Sequence, residues 1–136
     1  MTKHTNLATD LTKNQSLVMN ALSDAQGPLS AYTILDELRD YGLRAPLQVY
    51  RALDKLVEIG LVHRLESLNA FVACQHPSCD GAKTETVLFA ICANCDDVQE
   101  LVDKSLVDSV RRIAEKINFS LNHSVIELSG LCSNCK

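Results

Sequence analysis

The sequence lacks any apolar run of the roughly 18 residues that a helix needs to cross a bilayer. Its N-terminal stretch, MTKHTNLATDLTKNQ, contains no apolar segment of the kind found in secretory signal peptides. Low-complexity segments and internal repeats are absent as well, while 46% of the residues are hydrophobic. We therefore expect a globular, cytoplasmic protein that does not associate with membranes.

Signals of catalysis are also missing. The sequence has no Ser/His/Asp grouping and no glycine-rich phosphate loop. We therefore expect that the protein is not an enzyme.

The sequence has fewer basic than acidic residues. It contains 13 Lys and Arg and 17 Asp and Glu, which gives a formal net charge of −4. This balance argues against nucleic acid as a partner unless basic residues are placed locally.

The first part of the chain shows three helical patterns followed by two short strands. Apolar residues recur on one face of Lys13–Asp24, Ser30 suits the N-cap of a second helix, and Pro46 suits the first turn of a third. The strands LVHRLE and AFVAC flank a turn at residues 67–69. This order is typical of a winged helix, whose third helix enters the major groove of DNA.

The predicted third helix has two chemically different faces. Its apolar face consists of Val49, Leu53, Leu56 and Val57. Gln48, Arg51 and Lys55 share the opposite face at positions i, i+3 and i+7. We expect Arg51 to contact base edges and Lys55 to contact phosphate.

Beyond residue 74 the pattern changes. QHPSCDGAK has the composition of a hinge. A buried strand TVLFAIC, a strand DVQEL, an amphipathic helix over Asp103–Ile117 and a long final strand NFSLNHSVIEL follow. So small a sheet with one helix cannot cover both of its faces, so we expect a homodimer. The predicted class is α+β: a winged-helix DNA-binding domain at 1–74, a hinge at 75–84 and a small α/β dimerisation domain at 85–136.

Six cysteines in a cytoplasmic chain favour metal binding or redox work over disulfides. Cys92-Ala-Asn-Cys95 and Cys132-Ser-Asn-Cys135 form two CxxC knuckles. Four thiolates in paired turns suit a closed, tetrahedral structural zinc site with no open coordination position. Two separate redox pairs are disfavoured, because Cys95 leads into a strand and not into a helix.

Nitrogen, sulfur and oxygen donors also occur on both sides of the predicted hinge: His63, Cys74, His76, Cys79, Glu85 and Glu100. Singly, each has an ordinary interpretation as a surface or core residue. Together they could bind one ion that fixes the angle between the domains. The residues by themselves leave this ligand set open.

Several segments resemble the ferric-uptake-regulator (Fur) superfamily, and within it the zinc-uptake-regulator (Zur) branch. They are SAYTILDELR, VYRALDKLVEIGLVHRLES, NAFVAC and the paired knuckles, and the resemblance covers roughly residues 11–136. It implies a zinc-responsive repressor that closes as a homodimer on operator DNA and controls zinc-acquisition genes. It also implies that Tyr32 and Arg51 contact bases, with Tyr50 beside them. The family's common Thr-Pro-Gln-Arg is Thr12–Gln15 here, so an arginine expected near phosphate is missing.

The resemblance implies Zn²⁺ as the cofactor at two sites. The knuckle cysteines would hold structural zinc, and a regulatory zinc would bind three further residues: His63, Cys74 and Glu100. The family's usual fourth ligand, a histidine, is Glu85 here. Glu85 could substitute, or Cys79 or His76 could replace it. A sulfur donor favours Zn²⁺ over Mn²⁺. His123 lies near a further metal position of some relatives, although an ordinary strand histidine is the preferred interpretation.

Two alternatives stay open. The first is a redox-, peroxide- or other-metal-sensing regulator on the same fold, with Cys74 and Cys79 as the redox switch. The second is a Cys/His metal-handling protein or thiol enzyme that does not bind DNA.

Overall fold

A computed structural model describes residues 11–74, 86–122 and 124–136. By internal packing the chain divides into two units, Met1–Ala82 and Lys83–Lys136. The predicted hinge at 75–84 lies outside the described residues, so the predicted domain boundaries stay predictions. Within the described ranges, no helix is long and apolar enough to cross a membrane.

The described part of the first unit contains three α-helices, whose ends follow from local signals. They are α1 (Lys13–Asp24), α2 (Ala31–Leu38) and α3 (Pro46–Glu58). A capping box starts α1, because Gln15 N donates to Thr12 Oγ1 at 3.2 Å and Thr12 N donates to Gln15 Oε1 at 3.1 Å. Thr33 N donates to Ser30 Oγ at 3.1 Å, which caps α2. The predicted bounds of the first helix and the Ser30 cap are confirmed.

The start of α3 is stabilised by a side chain of the helix itself, that of Gln48. A 3₁₀ turn follows α2, and Gly42 then takes a φ of 107°, which glycine adopts without strain. Pro46 is the first residue of α3, as predicted. The Gln48 Oε1 atom accepts hydrogen bonds from Arg44 N at 2.8 Å and Ala45 N at 3.1 Å. This oxygen therefore caps two backbone N–H groups that precede the helix.

The two wing strands form an antiparallel hairpin, β1 (Val62–Leu65) and β2 (Ala70–Ala73). Asn69 closes their turn at a φ of 50°. A pairing that the sequence did not predict attaches this wing to the helices. Leu29, between α1 and α2, donates to Phe71 O at 2.9 Å and accepts from Phe71 N at 2.8 Å.

The first unit has its own apolar core between the three helices and the wing. Its fully buried side chains include Val18, Ile34, Leu43, Val49, Leu53, Leu56 and Val62. The predicted apolar face of the third helix is therefore its core face, with Val57 only partly buried against it.

Two leucines on α3 provide a matched test of this packing. Leu53 is 0% exposed and Leu47 is 59% exposed. Leu53→Ala should lower the free energy of unfolding by about 2–5 kcal/mol, because it leaves a cavity. Leu47→Ala should change it by less than about 0.5 kcal/mol. Chemical denaturation of the metal-loaded protein would measure both, and similar losses would contradict this placement of the core.

The second unit is a three-stranded sheet with one helix. Its elements are β3 (Thr86–Cys92), β4 (Val98–Leu101), α4 (Lys104–Lys116) and β5 (Ser124–Gly130). The strand order is β4-β3-β5, with β4 antiparallel and β5 parallel to β3. Leu106 N donates to Asp103 Oδ2 at 3.2 Å, which caps α4. Phe89 and Ile91 of β3 are buried.

The predicted final strand is wrong in its bounds. It was expected over residues 118–128, whereas β5 spans Ser124–Gly130. The reason lies in the end of α4. Asn118 has a φ of 54°, and the Phe119 N–H donates to Ala114 O at 2.8 Å. These residues satisfy the last carbonyls of the helix and so are not available to extend a strand.

The second unit leaves much apolar surface exposed in the single chain. The exposed side chains are Leu101, Ile113, Ile117, Phe119, Leu128 and Leu131. This agrees with the expectation that one small sheet and one helix do not cover each other completely.

Candidate metal centre and nucleic-acid interface

Strand register brings the two cysteine knuckles to one edge of the sheet. Because β3 and β5 are parallel, their carboxyl ends meet at the same edge, with Cys92 opposite Gly130. Each knuckle follows directly at that edge. Ala93 N donates to Gly130 O at 2.7 Å, and Cys92 N donates to Asp97 O at 2.9 Å. Asp96 takes a left-handed φ of 62° in the first turn. In the second turn, Cys135 N donates to Cys132 O at 3.0 Å. Both turns are therefore fixed by backbone hydrogen bonds.

The four knuckle sulfurs converge on one point. The sulfur atoms of Cys92, Cys95, Cys132 and Cys135 all lie within 4.8 Å of one another. All four cysteines are free thiols. The Sγ atoms of Cys95 and Cys132 are 3.7 Å apart. A tetrahedral zinc ion with Zn–S bonds of about 2.3 Å requires sulfur separations of about 3.8 Å. The donor set and its spacing therefore fit a four-sulfur zinc site.

Polar groups around the sulfurs support the same arrangement. The Cys132 N–H donates to Cys92 Sγ at 3.4 Å, and Asn94 Nδ2 donates to Cys135 Sγ at 3.3 Å. Such outer contacts orient metal ligands. The role of Asn94 was missed in the sequence analysis. A signal was present, since both knuckles have asparagine before their second cysteine, at Asn94 and Asn134.

The thiols of the cluster differ in acidity. The N–H groups of Cys132 and then of Cys95 lower the pKa of Cys92 to about 6. The Asp97 N–H also lowers the pKa of Cys95, but the hydrogen bond of this thiol to Cys92 and its desolvation outweigh that effect and raise the pKa to about 12. Thus one sulfur ionises readily while a neighbour keeps its proton. A divalent cation is the partner that lets four such sulfurs all be thiolates.

His63 and Cys74 lie together on the wing. His63, on β1, is opposite Val72 of β2, and Cys74 comes two residues after Val72 on the same face. The ligand atoms of His63 and Cys74 lie within 4.8 Å of each other, and both residues are partly buried. Cys74 is in a disulfide in this structure. That disulfide must be reduced before the sulfur can bind a metal ion as a thiolate.

The remaining predicted ligands fall into two groups. Glu100 lies on β4 of the second unit and is partly buried. The alternatives for a fourth ligand lie outside the described residues, as does the further candidate on the final strand. These four are His76, Cys79, Glu85 and His123.

The outward face of α3 has the predicted basic residues. Arg51 and Lys55 are both exposed. Lys55 Nζ lies 3.3 Å from Glu58 Oε1 in an exposed ion pair, which partly offsets its charge. Gln48 is exposed as predicted, but its Oε1 atom caps the start of its own helix. Of the three polar residues on this face, Arg51 is therefore the best candidate to donate hydrogen bonds to a base edge.

The two tyrosines have different surroundings. Tyr32, in the first turn of α2, is 63% exposed. Tyr50 is partly buried and packs against the core of the first unit. Tyr32 is therefore the more accessible of the two tyrosines.

Comparison with known proteins identifies the family. A family model described as the ferric uptake regulator family matches residues 8–129. The chain belongs to this family. The resemblance of the sequence segments is thereby confirmed, and the first unit is the winged helix that the family places before a second α/β unit.

Individual relatives are zinc uptake regulators. The chain is 40% identical over 126 residues to the zinc uptake regulation protein of Escherichia coli (strain K12), covering 92% of this chain and 72% of that one. It is similar to a solved zinc uptake regulator complexed with zinc and DNA, with a TM-score of 0.80, 36% identity and coverage of 98% and 95%. Holo XcZur gives a TM-score of 0.78 at 40% identity, with coverage of 91% and 84%.

Proposed function

We propose that the protein is a zinc-responsive transcriptional repressor that binds operator DNA as a homodimer and controls zinc-uptake genes. The observation that carries the proposal is the convergence of four cysteine sulfurs within 4.8 Å, in a chain that also has a winged helix. The zinc uptake regulators among its relatives agree with it. A DNA-binding regulator acts where the DNA is, so the proposal places the chain in the cytoplasm.

Structural zinc is assigned to Cys92, Cys95, Cys132 and Cys135. Bound there, zinc would tie the last residues of the chain to the end of β3. A closed four-sulfur site supplies folding free energy and leaves no position for a reacting water. This role requires no catalytic step.

A regulatory zinc is assigned to His63 and Cys74 on the wing, with Glu100 as a third ligand. The nearness of the imidazole and sulfur supports the first two residues, whereas Glu100 rests on the resemblance. Imidazole and thiolate together favour Zn²⁺ among divalent ions. Zinc would act by raising the fraction of molecules competent to bind two half-sites.

The homodimer is assigned to the second unit. This unit exposes large apolar side chains that a second copy could bury, among them Ile113 on α4 and, just after the helix, Ile117 and Phe119. Large apolar patches left exposed on a soluble protein often mark an interaction site. Two copies also supply two α3 helices for a pseudo-palindromic operator.

Arg51 and Lys55 should differ in what their loss does to DNA binding. Arg51→Ala should cost about 1–3 kcal/mol and relax specificity at one position in each half-site, because arginine pairs with guanine O6 and N7. Lys55→Ala should weaken operator and random DNA alike, because phosphate contacts carry no sequence information. Competition binding on both DNAs would measure this. Equal losses on the two DNAs for Arg51→Ala would contradict its assignment.

A gel-shift experiment tests the function as a whole. The reduced protein would be mixed with promoter DNA at low and high free zinc. Zinc-dependent retardation is the expected result. Retardation that does not respond to zinc, or none at all, would contradict the proposal.

Redox control is a second candidate function, favoured by the disulfide at Cys74. Oxidation would take a sulfur away from the proposed regulatory zinc. The predicted partner in this switch, Cys79, lies outside the described residues. If thiol oxidation alone abolishes retardation at saturating zinc, redox control is supported. If reductant and oxidant give the same retardation, it is excluded.

A further inference from the structure

The start of α3 presents an apolar side chain to solvent. Leu47 is 59% exposed, whereas the other leucines of this helix, Leu53 and Leu56, are 0% exposed. An exposed leucine by itself is ordinary on a protein surface. Leu47, however, lies in the first turn of the helix that the proposed function places in the major groove, where an exposed side chain can contact bases.

Leu47 and Arg51 are four residues apart and so lie on one side of α3, one turn from each other. The first turn is held in place by Pro46 and by the Gln48 Oε1 atom, so Leu47 projects from a fixed backbone. A separation of four residues is about 6 Å along a helix. Successive bases are about 3.4 Å apart, so a helix lying along the groove would bring Leu47 to a base within about two pairs of the one that Arg51 contacts.

Gln48 is a poor candidate for base recognition at this turn. Glutamine recognises adenine by accepting a hydrogen bond at Oε1 and donating one from Nε2. The Gln48 Oε1 atom already accepts from Arg44 N and Ala45 N. An amide oxygen has two lone pairs, and both are used. Sequence recognition at the first turn would therefore depend on shape and apolar contact more than on this amide.

We propose that Leu47 recognises thymine through its C5 methyl group, one turn before the base contact of Arg51. This inference rests on the proposed function. Leucine has no hydrogen-bonding group, and the thymine methyl is the apolar feature of the major groove. Uracil and cytosine lack that methyl, so the contact would distinguish T·A from C·G at this position. Leu47 is thereby a specificity-determining residue.

Removing single methyl groups from the DNA tests the proposal. The probe is a duplex selected from a random-sequence pool by the zinc-loaded, full-length protein. Each thymine of a half-site is replaced in turn by uracil, and dissociation constants are measured for the wild type, Leu47→Ala and Leu47→Met. One replacement should weaken the wild type about fourfold per half-site, as expected for one buried methyl-sized group. Leu47→Ala should bind that thymine and uracil duplex equally well, while Leu47→Met should still prefer thymine.

Other outcomes separate the failure of this proposal from failure of the proposed function. If wild type shows no zinc-dependent binding to any duplex, both fall. If it binds with zinc but no uracil replacement matters, Leu47 does not contact a thymine methyl, even if Leu47→Ala binds weakly. If Leu47→Ala keeps the full preference of wild type for thymine, a different residue makes the contact.

Discussion

Cys132→Ser is expected to lose the structural zinc and, with it, the order of the second unit. Removing one thiolate opens the closed site, and structural zinc binding is worth about 10–16 kcal/mol in zinc-finger peptides. A typical protein is stable by only about 5–15 kcal/mol in all. The variant should therefore elute as a monomer or an aggregate and retain less zinc than the wild type after dialysis against a chelator.

Ser133→Ala is the matched control for that change. Ser133 lies in the same knuckle, next to Cys132, and is exposed. It should keep the zinc content and elution volume of wild type. If Cys132→Ser also elutes as an intact dimer with the wild-type zinc content, the four-sulfur site is not structural.

Cys74→Ser is expected to separate zinc sensing from folding. The variant should retain the structural zinc and its dimeric state, because Cys74 is on the wing and not in the knuckles. It should lose the zinc-dependent part of DNA binding, a factor of about 5–150 for a coupling of about 1–3 kcal/mol. Anisotropy titrations of the reduced protein at low and high free zinc would measure this factor.

Two further variants test whether His63 and Glu100 are ligands of the regulatory zinc. His63→Gln should reproduce the loss, since the imidazole is the neighbouring donor on the wing. Glu100→Gln should weaken the zinc response if the carboxylate is a ligand, whereas Gln99→Ala, at the exposed neighbouring position of β4, should not. An undiminished zinc response in Cys74→Ser would remove this residue from the sensing site.

Local signals explain how much of the fold was predictable. A capping residue, an N-terminal proline and an apolar face act within a few residues, so the first helix, the Ser30 cap and the start of the third helix were predicted correctly. The wing was predicted for the same reason. The start of β5 was not, because the apolar and polar residues from 118 onward alternate as in a strand, whereas Asn118 and Phe119 complete the terminus of α4.

Contacts between distant residues were the harder part. The pairing of Leu29 with Phe71 depends on strand register, which no local pattern contains. The use of Gln48 as a cap could have been anticipated from its place three residues after the N-cap residue Ala45, but the helical periodicity showed only that it shares the outward face with Arg51. The cysteine cluster was predictable because repeated CxxC spacing limits the chemistry to a few choices.

The most direct test of zinc-responsive DNA binding is a zinc titration with and without DNA. Reduced wild-type protein holding only its structural zinc would be titrated calorimetrically, alone and in the presence of the selected duplex. Coupling between two binding sites is reciprocal, so DNA should tighten the regulatory zinc by the same factor by which zinc tightens DNA, about 5–150. Equal zinc affinity in the two titrations would contradict the account.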